Sequence, residues 1–86
     1  MSDEFSEQEH AKAAERFIGL ANTLAREGTA MNTVSAALMT ASGTYATFSH
    51  VGDNGVLTED EIDQFTDAYR AQLKYIQDLK RERNQA

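Results

Sequence analysis

No proline interrupts this 86-residue chain, and its apolar residues recur at helical spacing over most of its length. Proline removes a backbone donor and clashes with the preceding turn, so without it a helix runs as far as the capping signals allow. Three segments carry the 3.6-residue period, and little of the alternation that marks a half-buried strand is present. The sequence therefore predicts an all-α fold, a bundle of three long antiparallel helices over about residues 7–27, 31–50 and 59–82.

The ends of these segments are well marked. Ser6-x-x-Glu9 and Thr58-x-x-Glu61 have the form of capping boxes, in which the hydroxyl and the carboxylate each satisfy a backbone amide of the other residue. Leu57 before the second cap and Ile62 at the fourth helical position add a hydrophobic staple. Glu59, Asp60, Glu61 and Asp63 crowd the start of the third helix, where the dipole favours negative charge. Gly28 and Gly52 stand where a left-handed residue ends a helix, and Asp53-Asn54-Gly55 are turn formers.

Apolar faces set the expected core. In the first helix Ala13, Ala14, Phe17, Ile18, Leu20, Ala21 and Leu24 share one side, a face broader than the usual ~100° stripe. Val34, Leu38, Ala41, Tyr45 and Phe48 line the second helix at a 4-3-4-3 spacing. Its opposite side carries Ala36, Met39, Gly43 and Ala46, which are small or apolar. A helix apolar on two sides is usually covered on both, and an interior glycine, which costs about 1 kcal/mol against alanine, suits close backbone approach. Ile62, Phe65, Tyr69, Leu73 and Ile76 line the third helix, with Gln72 in the middle of their arc. Asp60, Asp63 and Asp67 form an acidic ridge outside it.

A chain of this length makes one domain over residues 1–86, with residues 1–5 and 83–86 expected to fray. Folding at this size buries only about 60–65% of the unfolded surface, so packing against a second copy is a ready source of stability. A homodimer whose interface includes Ala36, Met39, Gly43 and Ala46 is therefore expected.

Charge and composition exclude several functions. Fourteen carboxylates against eight Lys and Arg give a net charge of −6, which argues against direct nucleic-acid binding through phosphate neutralisation. The basic cluster Lys80-Arg81-Glu82-Arg83 is interrupted by an acid and complements a helix C-terminus. There is no cysteine, hence no disulfide, thiol nucleophile or thiolate metal site. The acidic, polar first residues lack the basic start and apolar run of a signal peptide, and no stretch approaches the ~20 apolar residues of a membrane span. A cytoplasmic protein without membrane or nucleic-acid partners is expected.

The segment Gly52 to Ile62 invites a calcium reading. With Gly55 at position 6 of an EF-type loop, Asn54, Thr58 and Glu61 fall at positions 5, 9 and 12. Positions 1 and 3 then fall on His50 and Gly52, which supply no oxygen ligand for a hard cation. The capping box accounts for the same residues more fully, so Asn54, Thr58 and Glu61 stand only as metal candidates of last resort. Catalysis has no better support. The histidines, His10 and His50, lie forty residues apart, and Ser49-His50 with Asp53 nearby is a sequence neighbourhood and not a triad geometry. No phosphate-cradling loop or helical metal motif is present, and neither an enzyme nor a bound cofactor is expected.

Phe17-Ile18-Gly19-Leu20-Ala21-Asn22, then Val34-Ser35-Ala36-Ala37-Leu38, then Ala41, Tyr45 and Phe48, resemble a family of small uncharacterised bacterial proteins. Phe65, Tyr69-Arg70 and Leu73 are similar to its third helix, so the resemblance covers about residues 17 to 76. That family is a domain of unknown function, and the resemblance implies a helical fold and no activity. Asn22 and Ser35 are the polar members of the shared motifs, read as structural, through an interhelical hydrogen bond, ahead of a functional role. The leading functional expectation is a small cytosolic interaction module that self-associates or docks an unidentified protein through an exposed helical face. The alternatives are a divalent-cation-binding domain with a degenerate EF-type loop and an acidic inhibitor imitating nucleic acid.

Overall fold

The structure, a computed structural model, describes residues 6–85. They form three helices, α1 (Glu7–Arg26), α2 (Met31–Val51) and α3 (Glu59–Gln85), and no strand occurs among the described residues. The all-α class and the three-helix order read from the sequence hold. The helix ends agree closely for α1 and α2, whereas α3 runs three residues beyond the expected 82. Nothing between Lys80 and Gln85 stops a helix, and Lys80, Arg81 and Arg83 favour its C-terminal dipole. Of the ends expected to fray, residues 1–5 and 86 lie outside the described residues, and 83–85 are helical.

The structure divides into two compact units, the first running to Ala46 and the second starting at Thr47. In the first unit, Ser6 Oγ accepts from the Glu9 amide at 3.3 Å and opens α1. The helix closes in a Schellman motif. Gly28 takes a φ of 108°, its amide donates to the Ala25 carbonyl at 3.1 Å, and the Thr29 amide donates to the Leu24 carbonyl at 3.0 Å. These bonds satisfy carbonyls that the helix end leaves without a donor.

The apolar faces are less covered than their periodicity suggests. Val34 is the one buried hydrophobic residue among those described, at 7% exposure. Leu24 and Ala25 are half-buried, whereas Phe17 stays 64% exposed and Ile18 and Leu20 are exposed beside it. On α2, Leu38 and Tyr45 are exposed as well, and Phe48 in the second unit is 49% exposed. Asn22 and Ser35 are also exposed. Helical spacing reports which side of a helix is apolar, not whether anything lies against it. In the second unit every described residue of α3 from Ile62 onward is exposed, including Phe65, Tyr69, Leu73, Ile76 and Leu79.

Candidate functional site

The most specific geometry in the molecule lies within the second unit, where the end of α2 meets the start of α3. Gly52 adopts a φ of 78°, which L side chains rarely take, and its amide donates to the Phe48 carbonyl at 2.8 Å. This is the left-handed stop expected there. After the link of residues 53–57 the chain begins α3 with its capping box intact. Thr58 Oγ1 accepts from the Glu61 amide at 3.2 Å, and the Thr58 amide donates to Glu61 Oε1 at 2.8 Å.

Glu61 has a second partner. His50 Nε2, in the last turn of α2, donates to Glu61 Oε2 at 2.6 Å. An ionised carboxylate only accepts, so the imidazole carries the proton on Nε2. The same imidazole meets Phe65 edge-on, with ring centroids 5.8 Å apart and planes at 89°. A residue near the positive end of α3 is thus joined to one near the negative end of α2, and both dipoles favour the pair. The backbone hydrogen bond from Thr58, and after it the bond from His50, holds the Glu61 carboxyl below its ordinary value.

Gly55 completes the connection by having no side chain. A Cβ built on it would lie inside the Val51 carbonyl oxygen and Val51 Cβ, and 2.8 Å from Val51 Cγ2. Its φ is not positive, so the demand is for space and not for a left-handed backbone. The sequence marks Gly55 as a turn former without revealing this contact. The His50–Glu61 bond also escapes the sequence reading, which assigns His50 to the helix dipole alone. The signal that could have found it is the short link from one helix end to a capping-box glutamate, which brings the two side chains together.

The residues expected to matter fall into separate places. Thr58 and Glu61 cap α3, and Glu61 has each of its carboxylate oxygens engaged. Asn54 is exposed in the link. Among the described residues, no group of three or more His, Asp or Glu side chains is arranged to hold a metal ion. Ala36, Met39 and Gly43 are exposed on α2 and Ala46 is half-buried. A Cβ built on Gly43 meets nothing within 4 Å, so the described residues do not require glycine there. Asp60, Asp63 and Asp67 are exposed on α3. No described helix is long and apolar enough to cross a membrane.

Two outcomes follow from the cap. Thr58→Ala is expected to lower stability by about 1 kcal/mol, equally with and without calcium, in urea melts. A cost that appears only when calcium is present would return the segment to metal binding. The second concerns acid. Because the Glu61 carboxyl is held down in the folded protein, its contribution is full above the ordinary value of 4.5 and is lost as pH falls through the lower folded value. A glutamine at this position keeps a cap acceptor but has no charge to lose, so the stability difference between wild type and Glu61→Gln should shrink below pH 4.5. A difference independent of pH would show that the charge of Glu61 contributes nothing.

Residues 10–80 match a family described as protein of unknown function, DUF3144. No curated protein and no solved structure matches the chain.

Proposed function

Since the chain belongs to DUF3144, a family that brings no activity with it, we propose from its surface that it is a self-associating interaction module. One observation carries this reading: Val34 is buried, while large apolar side chains such as Phe17, Leu20, Met39, Tyr69 and Leu73 stand exposed on helical faces. Scattered apolar residues on a surface need no explanation, but contiguous apolar faces mark surfaces that bind protein. The homodimer with two-fold symmetry is the commonest small assembly, and it covers the same patch on both copies at once.

In the first unit the contact is the face of α2 carrying Ala36, Met39, Gly43 and Ala46. Open space at Gly43 and the 63% exposure of Met39 support it. Small residues let two helices approach closely, and a two-fold axis places any added bulk on both sides of the seam. Gly43→Ala should therefore preserve the assembly and add about 0.4–1 kcal/mol of stability by restricting the unfolded chain. Gly43→Leu should weaken the assembly in size-exclusion and sedimentation runs, or leave the protein unstable. If Gly43→Leu assembles as well as wild type, this face is not the contact.

A further inference from the structure

Resting on the self-association reading, we propose that α3 pairs antiparallel with the α3 of a second copy, with the two-fold axis passing at Gln72. The occupant of this exposed face is named by its spacing, its charge and its polar midpoint. Ile62, Phe65, Tyr69, Gln72, Ile76 and Leu79 follow one another at intervals of 3-4-3-4-3, the seam of a two-stranded coiled coil. All six are exposed in the single chain. The 27 residues of α3 extend roughly 40 Å at 1.5 Å per residue, enough for several layers of such a seam.

Charge fixes the direction. Residues 59–69 carry five carboxylates and no Lys or Arg, whereas residues 70–85 carry five Lys and Arg against two carboxylates. A parallel pair sets the acidic half against itself. An antiparallel pair sets each acidic half against the basic half of the other copy, an arrangement whose potentials are complementary along the whole seam.

Gln72 fixes the register. It is equidistant from Glu59 and Gln85, the two ends of α3, so an antiparallel pair in full overlap places it opposite its own counterpart. A side-chain amide has both donors and an acceptor, and two of them facing each other across the axis satisfy one another. Slipping the pair by a turn buries each amide against an apolar residue without a partner. One polar residue at a seam position specifies register in this way at some cost in stability. On either side of the axis Phe65 then faces Leu79 of the second copy, and Tyr69 lies level with its Tyr75, one residue short of Ile76.

The chain has no cysteine, so introduced thiols report the pairing directly. Gln72→Cys and Leu79→Cys are each purified, checked for helicity by circular dichroism, and exposed to oxidised glutathione. Their covalent dimers are scored on non-reducing gels beside sedimentation equilibrium of the unmodified wild type. A disulfide needs Cα atoms within about 4.4–6.8 Å, which the antiparallel pair offers to two copies of residue 72 but not to two copies of residue 79. The expected result is ready linking by Gln72→Cys, little by Leu79→Cys alone, and linking restored when Leu79→Cys is mixed with Phe65→Cys. Equal linking at 72 and 79 overturns the antiparallel direction. No linking at 72 in a wild type that sediments as a dimer overturns α3 as the surface and leaves self-association standing. A monomeric wild type with no linking overturns the self-association reading and this inference with it.

Discussion

Alanine in place of Phe17, Phe48 or Phe65 is expected to destabilise the assembled protein by roughly 3–5 kcal/mol in each case, the loss seen when a buried aromatic is truncated. In the single chain these rings differ widely, at 64%, 49% and 38% exposed, so an isolated monomer would rank them in that order of increasing cost and would hardly notice Phe17. The α3 seam covers Phe65, and Phe17 and Phe48 reach the same range only where the assembly also covers the α1 face and the Val34–Phe48 side of α2. The cost should also depend on protein concentration, because a second subunit stabilises the fold by mass action. Arg70→Ala and Lys74→Ala, outside the apolar stripes, should stay within about 0.5 kcal/mol. Urea melts at two concentrations check the set. Small costs for Phe17 and Phe48 at every concentration would mean that nothing covers them.

Gly55→Ala is expected to have the largest effect of any single-methyl addition in the second unit. The added carbon collides first with the Val51 carbonyl oxygen, a backbone atom at the end of α2 that cannot swing aside as a side-chain tip would. Forcing such an insertion typically costs about 1–3 kcal/mol. Movement of Val51 would also disturb the neighbouring His50, and with it the bond to Glu61. Gly43→Ala is the internal control, since a Cβ there meets nothing within 4 Å. Chemical shifts of the His50 and Glu61 side chains should change in Gly55→Ala and stay in place in Gly43→Ala. Equal stability of the two variants would mean that the link between α2 and α3 relaxes freely.

Much of the local structure was legible because it is written in neighbouring residues. Thr58 and Glu61 are three positions apart and cap each other, and Gly28 and Gly52 stop their helices with positive φ where the periodic pattern ends. The His50–Glu61 bond spans eleven positions and depends on how the intervening link folds, which no local pattern specifies. The steric role of Gly55 was hidden for the same reason. It depends on where the Val51 carbonyl ends up, and turn propensity alone already accounts for a glycine there. Burial was the least legible feature. Phe17 and Val34 belong to equally good apolar stripes, yet one is exposed and the other is buried. A stripe marks a face that prefers cover, and the covering surface is a separate fact about the fold or its assembly.

That difference between apolar pattern and actual cover is what the self-association reading explains, and sedimentation equilibrium of the wild-type protein at tens of micromolar tests it most directly. The expected result is a species of twice the 9.5 kDa chain mass, dissociating on dilution. A single ideal species at 9.5 kDa across that range would contradict it.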